Sequence, residues 1–408
     1  MNRKIWKALG IAVCMLALAA PRAMAELREY LVSNNEHFAD AVGRINNESN
    51  IGDENEIVLM HDITLEGNYI LTNGKKTTIK GEGNTITVNS GAGITVTGEK
   101  TTLNLGANGY DGTLTIDGKT SGGFVSVLEG ATANMYENVT LQNGEFADKA
   151  CVVIKGSDSA FNMYGGVIEN CSRAVMADSG TTFNMYGGEI RNREGSRGSG
   201  VHVFEATFVM SGGTISGCTA NEGGGLYATN QSTITIKGGT ISGCEAGAGG
   251  GLYADNSIVI INKGTISGCS AAINNGGGLY ATNSSKITIS GGTISGCKGE
   301  LGCGLYADNS TIEITDGTIS GCKGLLGGGL YANNSTVTIS GVTISGCEAG
   351  AGGGLYVVGS TLNIKDGTIS KCFVSDTGKG GGLYAENSTL TISGGTIKGN
   401  KAAYGGGV

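Results

Sequence analysis

A unit of about 25 residues recurs along this chain, and no other feature limits its fold so strongly. From about Thr207 it reads Thr-Ile-Thr-Ile, a Gly-Gly turn, Thr-Ile-Ser-Gly-Cys, a short variable loop, Gly-Gly-Gly-Leu-Tyr-Ala and an Asn-Ser turn. Cys218, Cys244, Cys269, Cys297, Cys322, Cys347 and Cys372 mark the period at separations of 26, 25, 28, 25, 25 and 25 residues, and Asn400 takes the next such place. Self-similarity at this spacing marks a solenoid, in which each unit is stable only against its neighbours.

Inside the unit the apolar residues alternate. In Thr233-Ile234-Thr235-Ile236 the isoleucines share one face and the threonines the other, the pattern of a half-buried strand. Thr240-Ile241-Ser242 resumes the alternation after Gly238-Gly239, and Gly251-Leu252-Tyr253-Ala254 gives a third short segment. None could bury its apolar face alone. Stacked on identical copies, each pairs in parallel with its equivalent one coil away. Ile236, Ile261, Ile289, Ile314, Ile339, Ile364 and Ile392 would form one inward column. A helical solenoid fails on β-branched content, on the two-residue period and on glycine at every corner. The expected fold is all-β: a right-handed single-stranded parallel β-helix with three short strands and about 25 residues per coil.

A degenerate form of the unit runs back towards the N-terminus. Phe161-Asn162-Met163-Tyr164-Gly165-Gly166 and Phe183-Asn184-Met185-Tyr186-Gly187-Gly188 put Phe and Met at the inward places. Phe208-Val209-Met210 bridges the two styles, and Asn134-Met135-Tyr136 extends the pattern back towards Ile57. About fourteen coils at ~4.8 Å each make a rod on the order of 65–70 Å long. Its open end needs a cap. Phe38, Ala41, Val42 and Ile45, at helical spacing after Asn34 or Asn35, predict a short N-terminal capping helix over the first coil. Residues 26–56 are read as the cap, 57–206 as irregular coils and 207–408 as regular ones. Gly405-Gly406-Gly407-Val408 falls inside the Gly-Gly-Gly-Leu-Tyr-Ala segment, so the array is expected to be truncated there.

Ahead of the cap, Arg3, Lys4 and Lys7 precede an apolar run from Ala8 to Ala20 and a cleavage pattern, Ala23-Met24-Ala25. This is the form of a secretory signal peptide over residues 1–25. The run is shorter than the ~20 residues a spanning helix needs, and no later stretch is apolar enough, so no membrane span is expected. The protein is expected to be secreted or held at the cell surface. The signal carries four basic groups and no acid, which leaves 23 basic against 35 acidic groups. That balance repels phosphate backbones, so no nucleic-acid partner is expected. The only proline, Pro21, also lies in the signal. A mature chain without proline suits backbone N–H groups committed to strand pairing.

Ten cysteines follow the signal. Export and an even count favour disulfides. Equivalent residues on neighbouring coils, however, point the same way and hold their Cβ atoms wider apart than the ~3.8 Å a disulfide prefers. A ladder of buried thiols, alternating cross-coil disulfides and a metal site are the options. No histidine accompanies the ladder and zinc spacings such as C-x2-C are absent, so no metal and no cofactor is expected. Cys303 replaces a glycine in Gly302-Cys303-Gly304 and lies close to Cys297, and that pair is the expected single disulfide.

Tyr227, Tyr253, Tyr280, Tyr306, Tyr331, Tyr356 and Tyr384 form a second column, continued by His202 and Met176. With Leu252 and its equivalents inward, alternation puts these tyrosines outside. There they either meet sugar rings or a partner protein, or stack on one another and stabilise one face. Outward Thr and Ser, from Thr240/Ser242 to Thr368/Ser370, make a third column of the kind that ice-binding solenoids show. Ile258, Ile260, Lys286 and Glu313 break the neighbouring Thr face, and the β-propensity of Thr accounts for the array. The loops between each Cys and the Gly triplet vary in length and chemistry while the strands do not. On a solenoid that edge is where recognition is built. Leu325-Leu326 and Phe373-Val374 would place apolar side chains there.

Gly-Gly-Gly-Leu-Tyr-Ala with Ile-Ser-Gly-Cys resembles the Gly-Gly-Ala-Ile and Phe-x-x-Asn repeats of polymorphic outer-membrane proteins. More generally the chain resembles the pectin-lyase-like β-helices of bacterial surface adhesins and autotransporter passengers, over residues 130–408 and more loosely 50–130. Ile stands here for Phe, and Cys for Asn until Ile397-Lys398-Gly399-Asn400. The resemblance implies an adhesin-like protein or structural stalk that binds a glycan, or a host or neighbour-cell surface protein, through its edge loops. Polysaccharide lyases and hydrolases share the fold, so such an enzyme is the alternative. Their chemistry takes clustered acids with a Lys or Arg base on adjacent coils. Asp255, Asp308 and Glu386 are instead interspersed with Thr229, Thr282 and Asn333, and Asp316 and Asp366 stand two coils apart. The densest charge is Arg191 to Arg197. No catalytic residue is assigned, and the protein is expected not to be an enzyme.

Overall fold

A computed structural model describes residues 27–47, 54–119, 123–144, 150–191, 200–273, 275–375 and 377–408. The expected signal peptide, 1–25, and most of the charged stretch after Arg191 lie outside them. The described residues form one short helix, Asn35–Asn47, and otherwise strands that pair in parallel from coil to coil. The result is a β-solenoid of about fourteen coils. Its coils repeat in register. Thr233, Ile234, Thr235 and Ile236 lie opposite Ile258, Val259, Ile260 and Ile261. Thr240–Ser242 lies opposite Thr265–Ser267, and Leu252-Tyr253-Ala254 opposite Leu279-Tyr280-Ala281.

Alternation sorts the side chains as expected. Ile234, Ile236, Ile241 and Leu252 are buried with their equivalents in one continuous core. Further back the same inward places hold Phe161, Phe183 and Phe208, whose ring centroids lie 5.4 and 5.0 Å apart. Ile392, in the last coil, has no described coil above it and is 44% exposed. A third glycine closes the triplet at a point of contact between coils. A Cβ on Gly251 would lie 2.5 Å from the Gly278 carbonyl oxygen and 3.3 Å from Cys269 Sγ. Glycine and cysteine are therefore one packing solution: the missing side chain makes room for the thiol of the next coil.

Two features go beyond the expected three strands per coil. Between 286 and 370 the first two strands merge into runs such as Lys286–Ser295 and Thr336–Ser345, with register shifts at the corner. The variable loop is also partly paired: Thr219–Glu222, Glu245–Ala248 and Ser270–Ala271 form a small parallel sheet of their own. Loops of similar length can stack, and stacking satisfies backbone groups that would otherwise be left without partners.

The helix caps the first coil. Asn34 is its N-cap, its Oδ1 accepting from the His37 N–H at 2.9 Å. Phe38, Ala41, Val42 and Ile45 are buried, and Phe38 meets Tyr69 edge to face at 5.1 Å. The segment read as cap holds more than the helix, since Leu27–Val32 is already a strand and pairs with Glu54–Leu59. Among the described residues no helix is long and apolar enough to cross a membrane.

Candidate functional site

The outward side chains of the Leu-Tyr-Ala strands build the site. Tyr227, Tyr253, Tyr280, Tyr306, Tyr331, Tyr356 and Tyr384 form a ladder with ring centroids 4.7 to 5.4 Å apart, and His202 extends it by one rung. From Tyr253 to Tyr356 successive planes lie within 18° of each other. Rings so placed cover one another's faces, leaving edges and hydroxyls to other partners. The column stands outside the main core, as alternation requires, but it is not an open row. Tyr227, Tyr306, Tyr331 and Tyr356 are buried, and Tyr253, Tyr280 and Tyr384 half-buried.

Over part of the ladder, cover comes from the residue just ahead of the glycine turn. Leu301, Leu326 and Ala351 hold that place in three successive coils and pack against the cluster of Tyr306, Tyr331 and Tyr356. In the three coils before them the same place holds Glu222, Ala248 and Asn275. No large apolar side chain covers the ladder there, and a cleft of about 650 Å³ opens. Tyr253 and Tyr280 line it together with the loop strands Thr219–Glu222 and Glu245–Ala248 and with Ala272, Ile273 and Asn275.

Among the described residues, the charged lining of the cleft is Glu222 and Glu245, with no Lys, Arg or His. The Tyr253 phenol is pushed well up by burial, then by Tyr280 and by the carboxylates of Glu222 and Asp255. Tyr280 is raised by burial and by Asp308, Asp255 and Glu222. Asp255 is itself held by Asn283, whose Nδ2 donates at 2.7 Å. The other corner acids are likewise in use: Asp308 accepts from Asn333 at 2.6 Å, and Glu386 from the Tyr356 hydroxyl at 3.0 Å.

The apolar loop residues divide. Leu326 is part of the cover, Val374 is buried, and Leu325 and Phe373 point outward at 59% and 41% exposure. None of the four lines the cleft.

The seven ladder cysteines, Cys218 to Cys372, are buried free thiols. Each donates to the carbonyl two residues back, as Cys322 does to Ser320 at 3.5 Å. Cys347 is pushed up to about 12 by its contact with Cys322 and by burial, whereas Cys269 is drawn down by hydrogen bonds from Cys244 and Cys297. The expected Cys297–Cys303 disulfide is absent, because the two thiols face different spaces. Cys297 points into the ladder and donates to Ser295, while Cys303 donates to Gly299 in its loop at 3.2 Å. The disulfide that does form is Cys151–Cys171, with Cα atoms 6.1 Å apart. These are not equivalent positions on their coils, so their side chains converge where ladder neighbours run side by side. Among the described residues no group of three His, Cys, Asp or Glu is arranged to hold a metal ion.

Two outward ladders were not anticipated. Asn104, Asn134, Asn162 and Asn184 are linked by side-chain amide bonds of 2.8 to 2.9 Å. Beside them Tyr136, Tyr164 and Tyr186 stack with centroids 5.2 and 4.9 Å apart, the last two more than 40% exposed. The recurring Phe-Asn-Met-Tyr carried this signal in its even-numbered places. Arg191 is paired with Glu169 at 2.7 Å and Glu189 at 2.9 Å.

A family model described as a right-handed β-helix region matches residues 131–306 and 264–408, more than half of the chain. No curated protein matches the chain, and no solved structure matches it.

Proposed function

The chain belongs to the right-handed β-helix family, and on that footing we propose that it is an exported, adhesin-type binding protein that holds a short run of linked sugars in the cleft over Tyr253 and Tyr280. The observation that carries this reading is the cleft itself, floored by half-buried Tyr253 and Tyr280, where Asn275 stands in the place that Leu301 and Leu326 fill in the next two coils. The hydrophobic seal is missing where the loops are also paired into a firm wall. The lining mixes the hydroxyls of Thr219, Tyr253 and Tyr280 and the amides of Asn221 and Asn275 with Ala246, Ala248, Ala272 and Ile273. A sugar, with apolar C–H faces and a hydroxyl rim, presents the matching alternation. The volume lies within the range of small-ligand sites, and three coils give a floor of about 10 Å. The signal-like N-terminus and the Cys151–Cys171 disulfide support export.

Filling the cleft with the protein's own solution tests the reading. Ala248→Leu with Asn275→Leu copies the cover of the later coils. On a glycan array wild type is expected to bind oligosaccharides, and the double variant to lose at least tenfold in affinity while melting no lower. Equal binding by the two proteins would overturn the reading.

A further inference from the structure

We propose that a second surface, apart from the cleft, docks a partner polypeptide by one aromatic side chain with a hydrogen-bond donor on its edge, tyrosine or tryptophan. Its place is the step where two outward ladders end together. Tyr136, Tyr164 and Tyr186 stack, and beside them the amides of Asn134, Asn162 and Asn184 each donate to the asparagine one coil back. In the next coil Val209 lies opposite Asn184, and Ser211 follows Met210 where a fourth ring would match Tyr186 after Met185. Tyr186 therefore has a ring on one face and, on the side of the other, only the small, exposed Ser211. Asn184 Oδ1, the last acceptor of its row, receives no donor among the described residues. One coil further Lys237 takes the same column after Ile236, exposed and in no ion pair among the described residues. None of these residues lines the cleft.

Three sides of the missing rung define what fills it. From the Tyr186 rung to the Lys237 rung is two coil spacings, roughly 10 Å, which leaves the thickness of one ring over Ser211. A ring there lays one face on Tyr186 and turns the other to the Lys237 ammonium, a cation that a π-face answers and an aliphatic side chain does not. The Asn184 carboxamide oxygen beside it takes a donor, which a phenol hydroxyl or an indole N–H supplies and a phenylalanine ring lacks. The protein's own rungs use the same pair, a tyrosine beside an asparagine amide. A free small molecule on this open sheet face would stay mostly in water. A polypeptide also covers the outer edges of Tyr164 and Tyr186, 43% and 47% exposed, around its anchoring ring.

The test is saturation-transfer NMR of capped glycine peptides that carry one central Trp, Phe or Leu. The proteins are wild type, Lys237→Met and Val209→Asn/Ser211→Tyr, which carries both ladders one rung further. Wild type is expected to give the strongest transfer to the Trp ring, about fivefold less to Phe and none to Leu. Lys237→Met, a change at an exposed side chain, is expected to weaken Trp binding several-fold. The rung-filling variant is expected to abolish it while melting no lower, and if that variant does melt lower, Lys237→Met decides alone. Equal transfer to the three peptides, no transfer to any, or Trp binding undiminished in either folded variant overturns the proposal.

Discussion

Tyr253 and Tyr280 lie face to face, their ring centroids 4.7 Å apart and their planes 7° apart. A ring shut between its neighbours has no face left for a sugar, so any ligand on this floor meets ring edges and hydroxyls. Tyr280→Phe keeps the stack and removes one hydroxyl. The expected outcome is unchanged melting and oligosaccharide binding weakened several-fold. Tyr280→Ala, which breaks the ladder, is expected to cost about 2 kcal/mol in denaturant unfolding. Full binding by the Phe variant would show that the hydroxyl is not used.

What the sequence made legible is what coil-to-coil contact enforces. A Cβ on Gly251 collides with the Gly278 carbonyl, so glycine recurs; Cys269 fills the space beside it, so cysteine recurs; Ile236 must meet Ile261, so isoleucine recurs. Each constraint links equivalent positions, and a repeat displays equivalence directly. The helix was legible because Phe38, Ala41, Val42 and Ile45 carry a period that strands lack.

The cleft was not legible, because it depends on a relation between unlike positions. Asn275 and Leu301 are variable-loop residues in sequence, and only folding places the one beside an open stretch of tyrosines and the other on a covered stretch. The edge loops were read as a place for recognition, and the cleft lies among them. The apolar pairs singled out there went elsewhere, Leu326 to the cover and Val374 to the interior. The disulfide failed for the same reason. A rule about ladder neighbours says nothing of Cys151 and Cys171, which occupy no common column.

The thiol ladder makes a sharp expectation about reactivity. Burial, and hydrogen bonds to carbonyls such as that of Ser320, keep these cysteines from reagents that need an exposed thiolate. N-Ethylmaleimide is expected to add to none of the eight free cysteines of a native chain produced from Glu26 onwards. Mass spectrometry should find eight additions after unfolding in guanidinium, and two more once Cys151–Cys171 is reduced. Native labelling of even one ladder position would mean that the coils open there.

Alkaline pH probes the packing of the phenols. Tyr110 is raised to about 12, chiefly by burial and then by the nearby Glu82 carboxylate, and Tyr253, Tyr280 and Tyr306 are raised as well. In the unfolded chain phenols lose their protons near pH 10. Below that pH both states hold these protons and the stability is fully present. Above it the unfolded chain releases protons that the folded chain retains, so stability falls as pH rises from about 10 towards the folded values. Tyrosinate absorbance of the folded protein should therefore lag behind that of the guanidinium-unfolded chain, with the unfolding midpoint dropping across the same range. Coincident titration curves for the two states would mean that the tyrosine ladder is open to water along its length, and the cover by Leu301 and Leu326 would have to be abandoned with it.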